Sequence, residues 1–218
     1  MSNNKKNAKF TGLMFLFAMA TSLSGGILIQ GIIDKPDFLS DILNEKMTII
    51  IAVILELINA FTVIFIAAAF WISYKKQEIV RVAYLAIRII EASVCALSAF
   101  IPITLLSIAR RNNNISMAAD ILRTIRGDLV SYAIPIFFGI GAIFFYFMLY
   151  KSQLIPKYIT VWGLIASVLV MTNMFVSAVS LKAALAFPII TNEIYLGIYL
   201  LTKGYKTETP TDLQKNEI

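Results

Sequence analysis

The chain has 218 residues, of which 59% are apolar and 15% charged, with a net charge of +6 and no histidine. Soluble domains run nearer half apolar and a quarter charged, so this balance places the chain in a membrane and leaves no room for a separate soluble catalytic domain. Without histidine, and with Cys95 as its one cysteine, the chain cannot form an intramolecular disulfide, a zinc site of the common His and Cys type, or a Ser–His–Asp or Cys–His catalytic arrangement.

A hydrocarbon core of about 30 Å is crossed by about 20 predominantly apolar helical residues. The first segment of that kind covers residues 10–33, after Lys5, Lys6 and Lys9. The basic start and the run Ala18-Met19-Ala20 also fit a cleavable signal peptide. Apolar residues nevertheless resume beyond Gly25-Gly26 and continue to Ile33, which predicts a retained first helix. An acidic loop over 34–46 leads to a second span at 47–74, followed by Lys75, Lys76 and Arg81. Further spans are expected at 79–108, 128–150, 158–180 and 184–202.

In the third connection Ile115, Ala118, Leu122 and Ile125 recur at helical spacing, with Arg123 and Arg126 off that stripe. The pattern predicts a short amphipathic helix on the outer surface, either covering the ends of the spans or acting as a lid or lipid contact. The expected fold is therefore all-α, an integral membrane bundle of about six helices. Its parts are a basic N-terminus (1–9), the transmembrane domain (10–205) and a polar, disordered tail (206–218). No internal repeat is visible, so the pattern does not support an inverted-repeat transporter.

Orientation follows from lysine and arginine in the connections. Eleven fall on the side of the termini: Lys5, Lys6, Lys9, Lys75, Lys76, Arg81, Lys151, Lys157, Lys203, Lys206 and Lys215. Seven fall on the other: Lys35, Lys46, Arg110, Arg111, Arg123, Arg126 and Lys182. Both termini are expected in the cytoplasm of a cell membrane. This scatter beside apolar spans is what topology alone produces, so the basic charge does not indicate nucleic acid, and the partner is the lipid bilayer.

Four ionisable residues interrupt the apolar spans: Glu56, Arg88, Glu91 and Glu193. A charge at bilayer depth costs several kcal/mol unless paired or wetted, so these mark a binding site or a specific buried contact. Counted at 1.5 Å per residue, the three glutamates are expected at one level, about 12–14 Å from the outer ends of their spans. Arg88 lies three residues before Glu91 on the same face, within reach of Glu91 or a neighbour. Asn59, Tyr84, Cys95, Ser98, Asn173 and Ser177, with Ser22, Ser24, Gly25 and Gly26, are candidates for the polar lining of an outward-facing cavity. Each of them also has the ordinary role of packing between membrane helices.

Three ionised glutamates around one arginine would be costly in low dielectric. A proton held on one glutamate, a cation or amine ligand, or water from outside would each relieve it. The structural alternative is an Arg–Glu pair with a protonated glutamate joining helices.

Several short motifs occur in order along the chain. They are Gly12-Leu13, Leu55-Glu56, Arg88-x-x-Glu91, Gly139-x-Gly141 with Tyr146, Leu149-Tyr150-x-Ser152-x-x-x-Pro156, Trp162-Gly163, and Pro188 with Glu193 before Lys203-Gly204-Tyr205. In this order the chain resembles, over about residues 10–205, the bacterial multi-pass membrane proteins grouped as domain of unknown function 4386 (DUF4386). The family's final aromatic is Phe where this chain has Tyr205, a mild departure. The resemblance implies a compact helical membrane protein of no established activity whose pattern includes the four charged positions, and it implies no cofactor.

Three functions fit these residues. The first is a transporter, conduit or receptor admitting protons, a cation or a small cationic solute to the Glu/Arg cluster. The second is a non-catalytic accessory protein of the stress or immunity type, with a purely structural cluster. The third is a lipid-acting intramembrane enzyme with a glutamate as general acid or base, which lacks any recognisable nucleophile arrangement. Neither ligand nor oligomeric state is specified by the residues.

Overall fold

In the computed structural model, residues 3–74, 77–111, 116–176 and 178–206 are described. Lys75, Lys76, Ile115, Ser177 and the tail from Thr207 lie outside them. The chain forms α1 (Asn3–Ile33), a one-turn α2 (Phe38–Asp41), α3 (Lys46–Ser73), α4 (Glu78–Arg110), α5 (Ser116–Asp128), α6 (Ile134–Ser152), α7 (Lys157–Met171) and α8 (Val179–Thr202). Among the described residues there is no strand, and six helical stretches are long and apolar enough to cross a membrane. Helices suit that medium because hydrocarbon offers no partner for backbone N–H and C=O groups, and a helix satisfies them internally.

Each span packs on the next in chain order: α1 on α3, α3 on α4, α4 on α6, α6 on α7 and α7 on α8. Helix α8 then returns to α1, so the six close into a ring. Gly12 makes that closure possible. A Cβ there would lie 2.6 Å from the Gly197 carbonyl oxygen and 2.9 Å from the Leu200 Cβ, so a side chain would force the two helices apart.

With an even number of spans both termini lie at one end of the ring, the terminal end. That end is filled by aromatic side chains. Phe145 is the hub, its ring centroid 4.9 Å from Phe70, 5.2 Å from Tyr146, 5.4 Å from Phe15 and 5.7 Å from Tyr84. These offset and edge contacts are the arrangements that aromatic quadrupoles favour. At the far end Ile29, Phe38, Ile49, Ala52, Leu105 and Ala119 pack together across α1 to α5. Phe61, Phe65, Phe100 and Ile165 stay exposed on the outside of the ring, as a lipid-facing surface requires.

The fourth span departs from the sequence expectation. Helix α5 is not separate from it, because helical structure runs unbroken from Met117 to Ser152. Between α5 and α6 lies a π-helical turn, Leu129–Ala133, in which Ile134 N–H donates to the Leu129 carbonyl five residues back. Pro135 accounts for the irregularity: it has no N–H to offer the Ser131 carbonyl, and its ring crowds that group.

Helix α5 also presents a different face from the expected one. Its inward residues are Ala119, Leu122 and Arg126, while Met117, Ile121 and Ile125 are exposed. The expected surface position of Arg126 is therefore corrected. Arg123 anchors the same helix to the first connection, donating to the Lys35 carbonyl at 3.4 Å with its guanidinium 5.3 Å from the Phe38 ring. Helix α8 begins at Val179, ahead of the expected 184, and α7 ends at Met171 in a 3₁₀ turn, Thr172–Phe175, short of the expected 180.

Candidate functional site

The helices of the ring leave between them a partly open cavity of about 330 Å³. It is lined from Phe15 to Gly26 on α1, from Glu56 to Ile66 on α3 and from Arg88 to Ser98 on α4, so at 1.5 Å per residue it is a slot about 15 Å long. Val130, Ile134, Pro135 and Phe138 form the wall on the π turn and α6, and Ala186, Ile189, Ile190 and Glu193 form it on α8. All four charged residues singled out by the sequence line this slot, with Asn59, Ser22, Gly26, Cys95 and Ser98.

The glutamates do not share one level. Helix α1 meets Glu56 at Gly25 and meets α8 at Gly197, one turn beyond Glu193. These registers put Glu56 about 10–15 Å nearer the far end than Glu193. The common depth expected from hydropathy fails for Glu193 because α8 starts earlier than its apolar run suggests, and for Glu91 because Ser98, seven residues further along α4, is the residue at the level of Glu56.

The slot therefore has charged groups at each end and a largely apolar middle. At its far end Glu56 is paired with Arg126, a residue the sequence reading left on the surface. Arg126 Nη2 donates to Glu56 Oε1 at 2.6 Å and Nη1 donates to Oε2 at 3.1 Å. Nη1 also donates to the Ser98 carbonyl at 2.6 Å and the Ser98 hydroxyl at 2.9 Å. The Arg126 residue is 2% exposed. This two-pronged geometry is the strong form of a guanidinium–carboxylate contact. Gly25 makes space for it: a Cβ there would lie 2.9 Å from the Glu56 Cγ.

At the terminal-side end Arg88 Nη1 lies 2.8 Å from Glu91 Oε2. Arg88 and Glu91 are 5% and 2% exposed. Arg88 lies close against α6, where a Cβ on Gly141 would come within 3.0 Å of its Cδ, and its guanidinium is 5.7 Å from the Phe138 ring. Arg88 Nε has no partner among the described residues. Glu193 completes this end from α8. The ion pairs inside the ring among the described residues are Arg88–Glu91 and Arg126–Glu56, and Glu193 is in neither.

The charge balance changes accordingly. Arg88 is not the lone cation, as the sequence reading had it; with Arg126 included, three carboxylates face two guanidinium groups. One carboxylate is left over, at the terminal-side end.

Two expected lining residues lie elsewhere. Tyr84 is buried in the aromatic packing, its ring 5.9 Å from Phe70 and stacked at 5.7 Å on Phe145. Asn173 is buried in the 3₁₀ turn after α7, its carbonyl accepting from Val176 N–H at 3.2 Å. Neither lines the slot. Ser177 lies outside the described residues. Ser24 is exposed on α1, away from the cavity.

Beyond Arg126, the sequence reading missed Phe15, Met19 and Phe138 as lining groups. In an apolar span such residues carry no distinguishing signal. Arg126 did carry one: with Ala119 and Leu122 it forms a face at i, i+3 and i+7.

No curated protein and no solved structure matches the chain. The profile of the family described as a domain of unknown function (DUF4386) matches residues 10–204. That match covers the whole ring with both ends of the slot, and the chain belongs to the DUF4386 family.

Proposed function

We propose that this is a non-enzymatic protein of the cell membrane that takes one positive charge into the slot, as a proton, a monovalent cation or a small cationic solute. The observation that carries the reading is the surplus carboxylate. Glu56 and Glu91 each have an arginine, whereas Glu193 lines the same cavity outside either ion pair. A carboxylate in low dielectric needs a counter-charge or a proton, and the slot leaves room beside it for one.

The termini are assigned to the cytoplasm and the far end to the outside. Burial of Arg126 withdraws one cation from the far-end connections, which leaves the positive-inside bias resting more strongly on the terminal end. The aromatic packing at the terminal end separates the slot from that side.

A second reading, a structural cluster in an accessory protein, draws on the two ion pairs, which already neutralise Glu56 and Glu91. Thermal melting of the purified protein against inorganic and organic monovalent cations, at constant ionic strength, separates the two. Wild type should be stabilised by at least one cation, and Glu193→Gln should abolish that effect. Identical curves for wild type and Glu193→Gln across the panel leave the structural reading.

A further inference from the structure

We infer that the solute taken by the slot is an organic amphiphilic monocation, with its ammonium group against Glu193 and its hydrocarbon body along the apolar middle. The inference rests on the reading above that the slot takes one positive charge, and it names the chemical class.

Three features point this way. First, the volume of about 330 Å³ is at the lower end of small-molecule pockets and far exceeds what one bare ion fills. Second, most of the wall between the two charged ends is hydrocarbon, from Val63, Ile134, Ile189 and Ile190, with Phe15, Ile66 and Phe138 toward the Glu193 end, and only the uncharged polar groups of Ser22, Asn59 and Cys95 interrupt it. Water held along such a wall gains few hydrogen bonds, whereas an apolar body displaces it favourably. Third, bare metal cations need several oxygen ligands at once. Among the described residues no three carboxylate or cysteine side chains converge to hold a metal ion.

Charge selects against other ligands of the same shape. An anion would meet the unpaired carboxylate of Glu193, while the charge of each guanidinium group is already matched by a glutamate beside it. A dication would lack a second surplus carboxylate. A neutral amphiphile would leave Glu193 without a counter-charge in low dielectric. The unpartnered Arg88 Nε is a buried donor beside this end, suited to a hydroxyl or carbonyl on the solute.

The test uses full-length protein in lipid nanodiscs, with benzyltrimethylammonium chloride as probe. Its uncharged carbon isostere, neopentylbenzene, and the chlorides of sodium and potassium serve as comparisons. Two variants divide the possibilities. Glu193→Gln removes the surplus charge. Gly26→Phe narrows the slot while leaving every charged residue in place, since a Cβ on Gly26 meets nothing within 4 Å and the residue lines the cavity.

The expected result is a saturable rise in melting temperature with the organic cation alone, with affinity weakened about thirtyfold or more by Glu193→Gln. Gly26→Phe should abolish it even if Glu193→Gln fails to fold. A response to sodium or potassium that survives Gly26→Phe and is lost in Glu193→Gln, with none to benzyltrimethylammonium, overturns the inference and leaves the single-charge reading standing. Equal responses to the cation and its neutral isostere, unaffected by Glu193→Gln, overturn it in favour of a merely apolar slot. No response to any cation overturns the inference, and if melting of wild type and Glu193→Gln also depends on pH in the same way, the single-charge reading falls with it.

Discussion

Arg126 and Glu56, 70 residues apart in the chain, meet inside the ring through two guanidinium–carboxylate hydrogen bonds of 2.6 and 3.1 Å. The same Nη1 also reaches the Ser98 carbonyl at 2.6 Å, so one side chain from the third connection ties α3 to α4. The connection is thereby part of the interior, and the far end of the slot depends on it.

Breaking this pair should be costlier than removing it. Arg126→Leu leaves Glu56 uncompensated, a loss of about 3–5 kcal/mol for a buried pair. The double change Arg126→Leu with Glu56→Leu should recover much of that. Melting temperatures in detergent check it: if the double variant is no more stable than Arg126→Leu alone, the two groups are not coupled.

At the other end, Arg88→Leu leaves both Glu91 and Glu193 without a cation and should be destabilising on the same scale, about 3–5 kcal/mol. Adding Glu91→Leu should restore part of the loss. Because the two pairs lie at opposite ends of the slot, Arg88→Leu and Arg126→Leu should be additive within about 0.5 kcal/mol. Strong non-additivity in chemical denaturation would show that the four groups form one network.

The π turn sets which face of α5 looks inward. Restoring an N–H with Pro135→Ala favours a regular helix, and one residue corresponds to about 100° of rotation. The Arg126–Glu56 pair should then be lost although neither partner is changed. The decisive measurement is the coupling between Arg126→Leu and Glu56→Leu in the Pro135→Ala background, expected near zero; full retention would mean that tertiary packing alone holds the turn.

The same substitution at two glycines of α1 should have opposite consequences. Gly12→Leu meets the Gly197 carbonyl and the Leu200 Cβ at the α1–α8 closure and should destabilise strongly. Gly26→Leu projects into open space and gains helix propensity, about 1 kcal/mol relative to glycine. Comparable melting losses for both would contradict the close approach at Gly12.

Orientation is open to labelling because Cys95 is buried and should not react with an impermeant thiol reagent. A cysteine at Asn44, exposed at the far end, should be labelled in intact cells, and one at Ser152, at the terminal end, only after permeabilisation. The reverse pattern would invert the topology.

The spans were legible because transfer into hydrocarbon is decided by the mean apolarity of about 20 residues, which the sequence displays directly. Glu56, Arg88, Glu91 and Glu193 were legible for the same reason, each being a costly exception in such a run. Their depths were less so, since Val179–Leu181 extend α8 past the apolar core of its span. Arg126 was misplaced because the helical face was drawn through Ile115, Ala118, Leu122 and Ile125 as though apolar residues must face inward. Against lipid that rule fails: Ile121 and Ile125 remain outside while an arginine enters to meet a carboxylate. Tyr84 shares the stripe of Arg88 and Glu91 yet lies below the slot, because its ring area is better buried against Phe70 and Phe145 than beside the charged groups of the slot.

The coincidence of chain order with order around the ring bears on how the protein is made. Synthesis lays down the wall one panel at a time, and the final panel, α8, supplies both Glu193 and the seam with α1 at Gly12. Without α8 the wall beside the Arg88–Glu91 pair is incomplete. Placement of α8 is thus the step that completes the cover over these charged side chains.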